Sequence, residues 1–140
     1  MTPATRSMHS FWNLRQLFIE RVSPRVREQL GLEVPEVFLM EYIGKSSLSP
    51  SEIAARMRLP PHAISRRLDT LEKRQLITRR LGEGDARRRV LSLTAKGEAV
   101  SEEASELLEE YVSEILGVLE PATLDTLLSA LERLTRTETA

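Results

Sequence analysis

The sequence predicts a mainly α-helical domain with one small β-hairpin, on three observations. Apolar residues recur every three or four positions through much of the chain, two short helix-start patterns follow each other closely before residue 75, and two strand-like segments flank Gly82-Glu83-Gly84-Asp85. At 140 residues the chain is long enough for one substantial core and short for two, so a single domain over 1–140 is expected.

Phe11, Leu14, Phe18, Val22 and Val26 lie on one side of a first helix. Pro24 lacks a backbone donor and should kink or interrupt it, and Gly31 supplies a stop. The first few residues are expected to fray. A second helix over about 35–43 has proline in its first turn, Gly44 at its end, and the apolar run Val37, Phe38, Leu39, Met40, dense enough to imply burial.

Ser49-Pro50-Ser51-Glu52 combines a capping hydroxyl, proline at the first helical position and a glutamate three residues after the cap, so a helix begins there with Ile53, Ala54 and Met57 inward. Leu59-Pro60 breaks it. The next helix starts near Pro61, with Ile64, Leu68 and Leu71 on one stripe and His62, Arg66, Asp69 and Lys73 opposite. Ile77 to Leu81 then reads as a strand and Arg87 to Leu93 as its antiparallel partner, with Arg89, Leu91 and Leu93 on one face. Thr94 caps a long helix to about Leu116 that carries Val100, Ala104, Leu107, Leu108, Tyr111 and Ile115 on its apolar side. Pro121 opens a last helix bearing Leu124, Leu127, Leu128, Leu131 and Leu134, with fraying expected from Thr135.

The net charge of −1 hides an uneven distribution. Residues 1–55 carry six basic and six acidic side chains, 56–97 twelve against four, and 98–140 two against eleven. A segment of net +8 can neutralise phosphates whatever the remainder carries, and an acidic block elsewhere keeps that remainder away from a polyanion. There is no cysteine, which excludes a disulfide, a thiolate metal site and a thiol redox switch. No metal site and no cofactor are expected. With no apolar run near the roughly 20 residues needed to cross a bilayer, and no secretory pattern at the start, the expected location is the cytoplasm, with no membrane partner.

Two short helices joined by a tight break and followed by a hairpin make a winged helix-turn-helix: one helix crosses the DNA backbone and holds the next in the major groove. On that second helix His62, Ser65, Arg66, Arg67 and Lys73 are placed to reach DNA. Arg66 can grip guanine with two donors, while Arg67, Lys73 and Arg74 at the margins suit phosphates. Ser49 and Ser51 mark the entry to the motif. Arg87, Arg88 and Arg89 at the hairpin return suit a narrow minor groove, whose concentrated negative potential attracts guanidinium groups. Asp85 either pairs with a neighbouring arginine to fix the turn or is an ordinary turn aspartate. A lone arginine on a helix is most simply a solvated one; twelve basic residues gathered on helix and hairpin are not so simply explained.

The run Leu48-Ser49-Pro50-Ser51-Glu52-Ile53-Ala54, the stretch Ile64-Ser65-Arg66-Arg67-Leu68-Asp69-Thr70-Leu71-Glu72-Lys73, and Asp85-Ala86-Arg87 leading to Leu93-Thr94 resemble the multiple-antibiotic-resistance regulator (MarR) family. The likeness covers nearly the whole chain, and Asp-x-Arg followed at fixed spacing by Leu-Thr is its most specific part. It implies a transcriptional regulator that dimerises through interleaved terminal helices. It also implies a minor-groove arginine at Arg87 and, in many members, a small-molecule or oxidant signal that weakens DNA binding. Gln75 stands where such proteins usually carry glycine, so a left-handed cap there must be held in strain or replaced; Pro60 stands where a capping hydroxyl is common.

The winged helix-turn-helix is therefore expected over about 33–95, with dimerisation helices over about 7–30 and 96–136. The terminal helices carry more leucine, valine and phenylalanine than a small winged domain can cover, and a second copy would cover them. Twofold symmetry then sets two recognition helices about 34 Å apart and calls for a near-palindromic site in double-stranded DNA, with repression the expected mode. Arg15 shares a helical side with Phe11, Phe18 and Val22. It either pairs with a carboxylate of the acidic C-terminal helix or snorkels to the surface, or it joins Trp12 in binding a small anionic aromatic effector. An enzyme is not expected, since there is no glycine-rich phosphate loop and only His9 and His62 stand as histidine bases. The remaining alternative is a winged-helix protein-interaction module without DNA specificity.

Overall fold

The structure, a computed structural model, describes the backbone of residues 1–82 and 85–136 and the side chains of these apart from 81–89. The elements run α1 (Pro3–Arg21), α2 (Ser23–Leu30), α3 (Val34–Lys45), α4 (Pro50–Met57), α5 (Pro61–Lys73), β1 (Ile77–Gly82), β2 (Asp85–Leu93), α6 (Ala95–Leu116) and α7 (Pro121–Arg136). Mainly helical with one antiparallel hairpin, this is the predicted fold class. The first helix does divide at Pro24, which sits in the first turn of α2, and Gly31 ends α2 with φ +65°.

Three expectations need correction. Helix extends into the N-terminal residues where fraying is expected: Thr2 Oγ1 accepts from the Thr5 backbone N–H at 3.2 Å and Pro3 fits the first helical turn, so α1 begins at Pro3. Gly44 does not end its helix, which continues through Lys45; a Cβ at Gly44 would lie 2.9 Å from Leu93 Cδ1, so the glycine serves close packing of α3 on β2. Phe38 is 44% exposed despite its apolar neighbours, because a run of four apolar residues on a helix cannot all face one core.

The core gathers Val37, Leu39, Met40 and Ile43 of α3, Ile53 of α4, Ile64, Leu68 and Leu71 of α5, and Leu76, Ile77 and Leu91 beside them. Val26 and Leu30 of α2 and Ala104, Leu107 and Ile115 of α6 complete it. In the hairpin Ile77 faces Leu93 and Arg79 faces Leu91, with an irregularity between Leu81 and Gly82. The start of α6 docks tightly on the end of α5: a Cβ on Gly97 would lie 2.0 Å from the Leu76 carbonyl oxygen, so only glycine permits this approach. Gln75 takes the left-handed conformation in spite of its side chain, with φ +60°, at a cost of about 1–2 kcal/mol. Among the described residues no helix is long and apolar enough to cross a membrane.

Candidate nucleic-acid interface

The helix pair is held by its caps and its core. Ser49 Oγ accepts from the Glu52 backbone N–H at 3.2 Å while the Ser49 N–H donates to Glu52 Oε1 at 3.1 Å, so both ends of the capping box close. Ser49 is thereby committed to the fold, and Ser51 stays exposed at the helix start. Arg58 ends α4 with φ +56° and lets the chain turn into α5. Pro60 offers no side-chain cap; its carbonyl accepts from the N–H groups of Ala63 and Ile64 at 3.0 and 3.3 Å, and the helix starts without the missing hydroxyl.

Ile64, Leu68 and Leu71 are essentially inaccessible, which leaves α5 no freedom to rotate about its axis. His62, Ser65, Arg66 and Lys73 are therefore presented to solvent together. From His62 to Lys73 the edge is about 16 Å long at helical rise. Beyond the bonds of the helix itself, the Arg66 carbonyl accepts from the Thr70 hydroxyl at 3.2 Å, and the Arg66 side chain is exposed with no side-chain partner among the described residues.

Other charged residues near this edge are occupied. Arg67 is half-buried and its Nη1 lies 3.9 Å from Glu36 Oε2. Glu36 is only 7% exposed, and its other oxygen accepts from the Glu33 N–H at 2.8 Å, capping α3. Asp69 accepts from Arg79 Nη2 at 2.6 Å, and Glu72 Oε2 lies 3.3 Å from Arg79 Nε. Arg79 is on the inward side of β1, 19% exposed, so two carboxylates of α5 neutralise a cation packed between helix and hairpin. Arg74, assigned to phosphate from the sequence, turns away: its guanidinium donates to the carbonyls of Leu30 and Gly31 at 2.9 and 2.8 Å. An unsatisfied helix C-terminus close by competes successfully with solvent for it.

The roles of Glu36, Arg74 and Arg79 were missed from the sequence. Arg79 had a usable signal, since strand alternation from buried Ile77 turns it inward. For the hairpin, the side chains of Asp85, Arg87, Arg88 and Arg89 lie outside the described residues; the backbone of 85–93 is strand, antiparallel to β1.

At the other end of the molecule, α1 and α7 bury no residue at all, although Phe11, Leu14, Phe18, Leu124, Leu127 and Leu131 lie along them. Between α1, α3, α6 and the start of α7 opens an apolar cleft of about 1410 Å³, lined by Phe11, Phe18, Phe38, Leu108, Val112 and Leu116 among others. Arg15 borders it and donates to Gln16 Oε1 at 3.1 Å. Of the two simpler alternatives for Arg15, an ion pair with a carboxylate of the C-terminal helix or a side chain that reaches the surface, the structure shows the second: Arg15 is exposed, and no such ion pair is found among the described residues. Trp12, 59% exposed, does not line this cleft.

Residues 30–88, from the end of α2 into the hairpin, match the sequence model of the MarR family. The HTH-type transcriptional regulator BilQ of Clostridium symbiosum is 32% identical over 111 residues, covering 79% of this chain and 77% of the relative. The chain belongs to the MarR family. Its relatives are transcriptional regulators, and the family is not one of enzymes. Two solved structures repeat the fold at lower identity. The Mycobacterium tuberculosis MarR family protein Rv2887, in complex with p-aminosalicylic acid, superposes with a TM-score of 0.72 at 24% identity, covering 90% of this chain and 95% of that one. Streptococcus pneumoniae FabT, in complex with DNA, superposes with a TM-score of 0.72 at 22% identity, covering 97% of this chain and 95% of that one. Within this MarR-family fold the two departures noted in the sequence are both tolerated: Gln75 keeps the left-handed conformation, and Pro60 begins α5 through its carbonyl.

Proposed function

We propose that this MarR-family chain is a cytoplasmic homodimer that recognises a near-palindromic duplex and represses transcription from it. The exposed edge of α5 carries the reading: His62, Ser65, Arg66 and Lys73 face outward because Ile64, Leu68 and Leu71 are locked inward. A helix so oriented fits the major groove, with Arg66 donating to a guanine edge and Lys73 to phosphate. Arg67 divides its charge between Glu36 and the DNA, and Ser51 approaches the backbone at the motif's entry. Arg87, Arg88 and Arg89 enter the neighbouring minor groove, with Asp85 holding the turn. FabT, of the same fold, is a DNA complex, which supports this mode.

The segment from about 33 to 95 forms the DNA-reading unit, and about 7–30 and 96–136 form the dimer. The absence of any buried residue on α1 and α7 supports pairing, since apolar faces of this length are unfavourable in water and a second copy presents matching ones. The acidic face of α6 stays clear of the duplex. A small anionic aromatic compound entering the cleft beside Arg15, with Trp12 at its approach, shifts the recognition helices and relieves repression; Rv2887 holds such a compound.

Gel shift with mixed genomic fragments tests the central statement. A small retained set of near-palindromic sequences, bound two chains per site, is the expected result. Retention of no fragment at modest ionic strength overturns it in favour of a module that binds an acidic protein partner.

A further inference from the structure

Arg74 follows the last residue of the recognition helix, and its side chain ties that helix to α2. Nη1 donates to the Gly31 carbonyl at 2.8 Å and Nη2 to the Leu30 carbonyl at 2.9 Å. These oxygens end α2 and carry the negative pole of its dipole, and a planar guanidinium presents two donors at the spacing of two adjacent acceptors. The arginine's own main chain is held from the opposite side. Lys96 Nζ donates to the Arg74 carbonyl at 3.1 Å, and Thr94 Oγ1 to the Gln75 carbonyl at 2.6 Å, both from the start of α6. Between them Gln75 is kept at φ +60°, a conformation that persists in a non-glycine residue where its surroundings over-determine it. The end of α5 is thus bolted to α2 and α6 at once, and α2 begins at Ser23 on the wall of the apolar cleft.

We propose that Arg74 is a positioning residue for DNA recognition: it contacts no phosphate, and sets the angle of α5 by bridging its C-terminal end to the last carbonyls of α2. The DNA consequence rests on the function proposed above; the brace itself does not. Lysine at this position is the informative substitution. It keeps the positive charge a phosphate would need, but its single ammonium cannot reproduce the two-carbonyl bridge.

Full-length Arg74→Lys and Arg74→Ala are compared with the parent protein for operator affinity across a salt series, at a temperature where thermal melts show all three folded. Both variants should lose about three- to tenfold in affinity with the salt slope unchanged. Amide exchange in the absence of DNA should quicken at the end of α2 and the end of α5 together. A slope reduced by about one in Arg74→Ala, with affinity restored in Arg74→Lys, marks a phosphate contact and overturns the proposal. Unchanged affinity of folded variants also overturns it, leaving Arg74 a contributor to stability alone. If the parent protein retains no duplex, the DNA-binding reading fails, and amide exchange judges the brace: loosening at both helix ends supports it and loosening at one overturns it.

Discussion

Arg66 and Arg88 differ in what their guanidinium groups can learn from DNA. Arg66 is exposed on the outer edge of α5, and in the proposed complex its two donors would meet the two acceptors of guanine. Arg66→Ala should therefore cost about 1–3 kcal/mol at the cognate site and relax preference at one base pair, measured by binding to a set of single-substituted operators. Arg88 belongs to the hairpin, which in the proposed complex answers to charge rather than to base pattern; Arg88→Ala should then weaken all sequences alike and lower the salt slope by about one. Equal changes in both variants would contradict this division. Arg79 is engaged within the chain instead. It is packed against Asp69 and Glu72, and because those carboxylates are largely hydrated the pair contributes modestly. Arg79→Ala should lower stability by about 1–2 kcal/mol by urea melt, more from the lost bridge between helix and hairpin than from charge.

At the scale of elements, the contact between the end of α5 and the start of α6 decides how the hairpin and the long helix leave the core. Gly97 sits against the Leu76 carbonyl with no room for a methyl group. Gly97→Ala must push α6 away from residue 76, breaking the Thr94 N–H bond to that carbonyl, now 3.0 Å. A loss of about 1–3 kcal/mol in a denaturant melt is expected. Gln75→Gly tests the same corner in the opposite direction. It relieves a left-handed side chain but adds freedom to the unfolded chain, so a gain of at most about 1 kcal/mol should appear as a raised melting temperature.

For the whole molecule, the charge layout and the incompletely covered apolar faces of α1 and α7 suit the proposed arrangement, in which basic reading surfaces face outward and acidic and apolar helices gather away from the duplex. Leu131 lies half-buried on α7, beside a shallow recess shared with Leu127, Phe11 and Leu14. Leu131→Glu should shift the protein toward monomers in analytical ultracentrifugation and reduce operator affinity by far more than the loss of any single phosphate contact, because the two half-sites cease to be bound as one. A dimer that persists unchanged would place the interface elsewhere.

Most of this architecture could be read from residue order because it rests on local physics. The Ser49 capping box, the Pro24 interruption, the Gly31 stop and the Ile64, Leu68, Leu71 stripe each depend on neighbours within a turn or two, and each stands where the pattern predicted. What could not be read were pairings between residues far apart in the chain. Arg74 looks like another cation beside a basic helix until folding brings the open end of α2 against it, 43 residues away. Gly44 resembles a helix stop until β2 packs upon it, and Phe38 resembles core until the helix is given one inward side. Local order specifies which helices form; long-range packing alone selects the partner of each polar group, because the energy of a donor or a charge is set by whatever the completed fold places within hydrogen-bond reach.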